Sequence, residues 1–90
     1  MLTIYYTTRF KKDFKRIKKQ HKDTSKLQTV IEALVNEQPL DSHYKDHQLI
    51  GNWANHRECH IEPDWLLIYR ISDHNLYLER TGSHVELFKK

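Results

Sequence analysis

The sequence predicts an α+β domain of order β-α-α-β-β-β, with two N-terminal helices packed on one face of a small, mainly antiparallel sheet. Three observations point there. The first residues and much of the second half alternate apolar with polar side chains, as strands do. Two stretches of the first half carry apolar residues at helical spacing. One run in the second half is apolar on both parities, as a strand covered on two sides requires.

Leu2-Thr3-Ile4-Tyr5-Tyr6-Thr7 places Leu2, Ile4 and Tyr6 on one strand face. Phe10, Phe14 and Ile17 then recur at i, i+4 and i+7 with Lys and Arg in the gaps, an amphipathic helix over about residues 8–20. His21-Lys22-Asp23 breaks that pattern. Thr24 or Ser25 caps the second helix, since Ser25 and Gln28 have the spacing of a capping box. Leu27, Val30, Ile31, Leu34 and Val35 form its apolar stripe, and it ends by Gln38 because Pro39 disfavours helical geometry in the residue before it. Residues 39–52 read as irregular. From Trp53 to Glu62 the chain alternates, with Arg57, Cys59 and Ile61 on one side and His56, Glu58, His60 and Glu62 on the other. Glu62-Pro63-Asp64-Trp65 is a tight turn with proline at its favoured second position. Leu66 to Ile71 is the doubly apolar run and should be a central strand. Ser72-Asp73-His74-Asn75 turns into a last strand, Leu76 to Arg80, and the capping-box spacing of Ser83 and Glu86 predicts a helical turn after Gly82. With both main helices on one face, the other face should be unusually polar and should hold the functional site.

Ninety residues make a single domain spanning 1–90. Only 38% of them are apolar, but ten aromatics add large buried rings. One cysteine makes no intrachain disulfide, and no leader or long apolar run is visible, so the expectation is a cytoplasmic protein with no membrane association. The net charge of +3 is uneven: residues 1–38 sum to +5 and residues 39–90 to −2. The basic half suggests a polyanionic partner. Six of the seven histidines lie in the other half, which suggests chemistry.

Arg80 and His84 are separated by three residues, and His60 and Asp64 flank the Pro63 turn. If the terminal turn folds back over the sheet, these four converge with His47 from the preceding loop. That set suits RNA cleavage without a metal or other cofactor. Attack of a ribose 2′-OH on its own 3′-phosphate needs a base, an acid for the leaving 5′-oxygen, and a cation for the phosphoryl oxygens. Histidines titrate near neutrality and can serve as acid and base. Arg80 presents a planar donor fork. The N–H groups at His84, opening a helical turn, should favour an anion. We read His84 as the acid, His60 or Asp64 with His47 nearby as the base side, and Arg80 as the phosphate holder.

Blander readings stand beside these. Each histidine taken singly is an ordinary surface residue, Asp64 a turn former, and Arg80 a partner for Glu79 or Glu58. Trp53 and Trp65 are packing residues first and base-stacking platforms second. Lys11, Lys12, Lys15, Arg16, Lys18, Lys19 and Lys22 belong to a basic helix face that is either simply solvated or in contact with phosphates. Cys59 reads as a small buried hydrophobe. His43/His47 and His56/His60 each stand four apart, a metal-sharing spacing on a helix, but neither pair lies on a predicted helix or within an H-E-x-x-H pattern. No metal site is assigned.

Tyr44-Lys45-Asp46-His47, Leu49, Gly51, Trp53, Arg57, His60, Glu62-Pro63-Asp64-Trp65, Ile68-Tyr69, and Glu79-Arg80-Thr81-Gly82-Ser83-His84 through Leu87-Phe88 together resemble the YafQ branch of the RelE/ParE toxin superfamily. The specific match covers about residues 44–88; the earlier part agrees in layout and in the His21-Lys22-Asp23 step, features that are generic. The resemblance implies a bacterial type II toxin: an mRNA endoribonuclease that acts at the ribosome and is neutralised by a cognate antitoxin protein. By position, His47, His60, Asp64, Arg80, His84 and Phe88 match the residues the family uses at its site. Trp65, Lys11, Lys15, Lys18 and Lys89 are the further candidate substrate contacts. The antitoxin is expected to cover the polar sheet face or displace the terminal turn. Two other readings fit the same fold: a ParE-like toxin that binds a protein target and cuts nothing, and an RNA-binding module without cleavage.

Overall fold

A computed structural model describes residues 1–88; Lys89, one of the candidate RNA contacts, lies outside the described residues. The elements are β1 (Thr3–Tyr6), α1 (Thr8–Lys19), α2 (Thr24–Val35), β2 (His47–Gln48), β3 (Arg57–Glu62), β4 (Trp65–Ser72), β5 (Asn75–Gly82) and α3 (His84–Phe88). The five strands form one sheet in the order β1-β5-β4-β3-β2, so the doubly apolar β4 is indeed central. Every pairing is antiparallel except β1 with β5, which is parallel. The predicted α+β class therefore holds, with a mixed sheet.

Both long helices pack on one face. Phe10 and Ile17 of α1 and Leu27, Val30, Ile31 and Leu34 of α2 join Cys59, Ile61, Trp65, Leu67, Tyr69, Leu76 and Leu78 in the main core. Cys59 is fully buried, and burial pushes its thiol up to about 12, so it behaves as the small hydrophobe it was read to be. The opposite face is less polar than expected. α3 folds back over it, and Leu87 closes a second cluster with Leu66 and Ile68, flanked by Leu49, Trp53 and Phe88.

Local chemistry explains the boundaries. Asp23, not Thr24 or Ser25, caps α2: its Oδ1 accepts from the Ser25 N–H at 3.0 Å. Gln28 reaches along the helix to Glu32 rather than closing a capping box. Both helices end in Schellman closures. After α1, His21 adopts φ +60°, its N–H donates to the Lys18 carbonyl, and the Lys22 N–H donates to the Ile17 carbonyl. After α2, Glu37 at φ +56° and Gln38 repeat the arrangement on Leu34 and Ala33, so the chain has left the helix before Pro39 acts. The strand expected from Trp53 starts only at Arg57, because Gly51–Trp53 forms a 3-10 turn. Residues 47–48, read as irregular, pair as a two-residue edge strand.

The β5 edge is finished by a helix. β1 ends opposite Leu78, which leaves the rest of β5 without a strand on the side away from β4. α1 takes that place. Thr7 Oγ1 donates to the Glu79 carbonyl (3.0 Å), Arg16 Nη2 donates to the Thr81 carbonyl (2.9 Å), and the Thr81 N–H donates to Asp13 Oδ2 (3.2 Å). These contacts satisfy backbone groups that a bare edge would expose.

One register shift and the regular pairing of β2, β3 and β4 place the functional side chains. Ile68 pairs with Arg80 and Tyr69 with Leu78, so Glu79 is an extra residue that reverses the alternation of β5. Arg80 therefore shares the α3 face with Ile68 instead of the main core with Leu78. On β3, Glu58 pairs with Ile68 and His60 with Leu66, and His47 of β2 pairs with Glu58. Paired residues share a sheet face, so His47, Glu58, His60 and Arg80 all lie on the side that α3 covers.

Candidate active site

Three imidazoles form a row on that face. The His47 and His60 ring centres are 6.4 Å apart and those of His60 and His84 are 5.7 Å apart. Each end of the row is held by a carboxylate. Glu58 Oε2 lies 3.1 Å from His47 Nε2, and the Lys45 carbonyl lies 2.7 Å from His47 Nδ1. Asp64 Oδ1 lies 2.6 Å from His84 Nδ1 and also accepts the His84 backbone N–H at 3.0 Å. The Ser83/Glu86 capping box forms as its spacing predicted, with Ser83 N–H donating to Glu86 Oε1 and Glu86 N–H donating to Ser83 Oγ, so the start of α3 is fixed.

These contacts sort the electrostatics. The hydrogen bonds from the His84 N–H and ring hold the Asp64 carboxyl below its ordinary value, so it is ionised near neutrality. Partial burial pushes the His60 imidazole down; the neighbouring His84, Lys45 and His47 push the same way, and Glu58 opposes them. His60 is therefore neutral at pH 7, and among the described residues its buried Nδ1 has no hydrogen-bond partner.

The structure brings together His47, His60, Asp64 and His84. Asp64 serves His84 rather than its neighbour across the turn, and it takes the backbone N–H that was expected to await an anion. Arg80 is on the right face, but its guanidinium is shared. Nε and Nη2 donate to Asp13 at 2.8 and 2.9 Å, and neither Glu79 nor Glu58 is its partner. Phe88 packs edge-on against Trp53, with ring centres 6.5 Å apart, beside the site. Trp65 is 1% exposed and its indole N–H donates to Thr81 Oγ1, so it packs in the main core and offers no open ring to a base. Lys11, Lys15 and Lys18 point elsewhere. They line a groove of about 670 Å³ between α1 and α2 with Tyr6, Phe14 and Ile31, and none of the histidine row enters it.

Two residues of the site were not anticipated. Asp13 is 1% exposed and holds both Arg80 and Arg16; its signal was an acid at i+3 from Phe10 and i−4 from Ile17, on the apolar side of an otherwise basic helix. Glu58 is 6% exposed and anchors His47; its strand parity with His60 was the available signal.

The model of the family described as "Bacterial toxin of type II toxin-antitoxin system, YafQ" matches residues 2–89. This chain belongs to the YafQ family. Among its YafQ relatives, the mRNA interferase toxin YafQ of Escherichia coli K12 is 46% identical over 86 residues, 94% of each chain. The YafQ of an E. coli DinJ–YafQ complex superposes with TM-score 0.91 at 45% identity, covering 98% of this chain and 99% of that one. A metal-bound toxin from Helicobacter pylori superposes with TM-score 0.92 at 47% identity, covering 98% of this chain and all of that one. The family and the fold are thus those the residues of 44–88 implied, and the similarity extends through the N-terminal helices as well.

Proposed function

We propose that this YafQ toxin is an mRNA endoribonuclease acting at the ribosome by protein acid–base chemistry. The observation that carries the reading is the histidine row with one neutral member and a carboxylate fixed at each end. Neutral His60, with His47 beside it, accepts the 2′-OH proton. The freed oxygen attacks the adjoining phosphorus. His84, its Nδ1 held by Asp64, delivers a proton through Nε2 to the departing 5′-oxygen. Asp13 leaves Arg80 the Nη1 edge of its fork for a phosphoryl oxygen. The products are a 2′,3′-cyclic phosphate and a 5′-OH. The E. coli relative bears the name mRNA interferase and has been solved with DinJ, which supports both the substrate and an antitoxin partner for this chain.

The H. pylori relative binds metal, but among the described residues of this chain no three His, Cys, Asp or Glu side chains are arranged to hold an ion. The acid, the base and the phosphate holder proposed above are all protein side chains. Cleavage of mRNA on ribosomes should therefore proceed in EDTA and leave the cyclic phosphate. A 5′-phosphate product, or a divalent requirement at the chemical step, would overturn the mechanism. Tight binding of a protein target with no cleavage would restore the ParE-like reading, and salt-sensitive RNA binding without cleavage would leave an RNA-binding module.

The pH profile supplies a second check. A base must be neutral to act, and His60 is depressed below its ordinary 6.5. The acid limb of kcat/KM should therefore fall below that value, and His60→Ala should lose the limb together with most of the rate. A limb above pH about 7 would assign the base to another group.

A further inference from the structure

Lys11, Lys15 and Lys18, three of the basic residues expected to follow the RNA backbone, line a groove that no residue of the histidine row, nor Asp64, enters. A strand bound with its scissile phosphate at His84 still carries one charge on each flanking phosphate, and those charges need a cation close by. A second groove, of about 600 Å³, lies beside the row: no imidazole lines it, but the Asp64 that holds His84 does. Asp64 and Ser83 lie at one part of it, and Gln20, Lys22, Lys26 and Glu62 at another.

All but one of the charged groups lining this groove are engaged. Lys26 Nζ is 2.7 Å from Glu62 Oε2, Asp64 holds His84, and Glu86 accepts from Gln20 and lies 3.0 Å from Arg16 Nε, without the alignment of a hydrogen bond. Lys22 is the exception: among the described residues it makes no ion pair. Its ammonium stands 5.6 Å from the centre of the Trp65 ring, so the buried indole serves as a floor beneath the lysine. Its backbone is fixed by the Schellman closure of α1 through the bond to Ile17. A compact ammonium on a flexible stem suits a single phosphate oxygen, and here the root of the stem is held.

We propose that Lys22 binds the mRNA backbone phosphate next to the scissile one, with the Lys22–Asp64 groove as the path of the strand leaving the active site. The proposal rests on the nuclease reading above. Of the basic residues read as one face along α1, it assigns the backbone contact to Lys22, at the α1–α2 connection.

The test is steady-state cleavage of mRNA on programmed ribosomes by the wild type and by Lys22→Ala, Lys22→Arg and, as a control off the groove, Lys12→Ala. Lys22→Ala should lower kcat/KM about tenfold, mainly through KM, and flatten its salt dependence by about 0.7 in log–log slope, the share of one single-strand phosphate contact. Lys22→Arg should retain most of the activity, and all variants should melt within a few degrees of the wild type. A Lys22→Ala enzyme with wild-type kcat/KM and salt slope, or no better than Lys12→Ala at separating the effect, overturns the proposal. Binding to ribosomes programmed with an mRNA bearing a 2′-deoxyribose at the cleavage site separates this contact from the chemistry. If the wild type cuts nothing, the nuclease reading fails, while a loss of affinity confined to programmed ribosomes still supports the Lys22 contact. An equal loss on empty ribosomes assigns Lys22 to ribosomal RNA and rejects the proposal.

Discussion

Replacing His84 by alanine should lower mRNA cleavage by about 10²-fold or more while leaving the fold intact, the scale expected when a positioned acid is removed. The argument is geometric. Asp64 grips both the backbone N–H and the Nδ1 of this one residue, at 3.0 and 2.6 Å, so the ring is held in one orientation with Nε2 left for the substrate. The side chain is half exposed, so its loss removes little packing. Asp64→Asn should lose less than His84→Ala, because an amide oxygen can still accept from the ring and the N–H but no longer supports the imidazolium. His74 is the control. It lies in the β4–β5 turn, where Asp73 and His74 adopt φ +51° and +66°, the left-handed pair of a type I′ hairpin. His74→Ala should leave cleavage near the wild-type rate. Wild-type cleavage by the His84 variant, or a greater loss at His74, would mean that the row is not the reaction centre.

Asp13→Ala should be the most damaging change to stability. Its carboxylate accepts from Arg80, from Arg16 and from the Thr81 N–H, all at the buried seam of α1 and β5. Truncation leaves those donors without an acceptor. Removing one member of a buried ion pair costs about 3–5 kcal/mol, which in a domain of this size lowers the melting temperature by on the order of 20 °C. Burial pushes the Asp13 carboxyl up, but the hydrogen bonds from Arg80, Arg16 and Thr81 outweigh it and hold the group below 3.8. A carboxyl depressed by folding contributes stability above its unfolded value and loses it as pH falls through the folded one. Asp13→Asn should therefore flatten the decline in stability below about pH 4. A variant that melts within a few degrees of the wild type would show that the seam is not what joins the helix to the sheet.

The contrast between Asp13 and the α2 stripe shows where sequence reading stops. Leu27, Val30, Ile31, Leu34 and Val35 share a stripe by spacing; the first four are buried and Val35 is partly so, because a long amphipathic helix leaves its stripe only one place to go. The double apolarity of Leu66 to Ile71 likewise required a central strand with something on both sides, although the polar face expected beside it has a second apolar cluster instead. Asp13 lies on the same kind of stripe and was passed over, since its partner is 67 residues away. The two-residue β2 leaves no periodicity to detect. The parallel pairing of β1 with β5 depends on how the two ends of the chain meet, which no local pattern records. The His/Asp cluster was legible because the chain's own turns, at Pro63 and at Gly82, carry most of it. The role of Arg80 was only half legible, because an extra residue at Glu79 decides its face and Asp13 decides how much of its fork is free.

The pairing of β1 with β5 also governs the order in which the molecule can assemble during its own synthesis. Residues 3–6 leave the ribosome before every other element of the fold, yet among the described residues their only strand partners are residues 75–78. α1 waits likewise for Thr81, and Arg80 has no carboxylate until Asp13 docks. Contacts this distant along the chain form late, because a long loop must close before they return any stabilisation. A growing chain that has not yet released β5 thus lacks both the sheet edge that seats its first helix and the residue set around His84. The toxin becomes competent only once β5 and α3 have emerged from the machine it is proposed to act on.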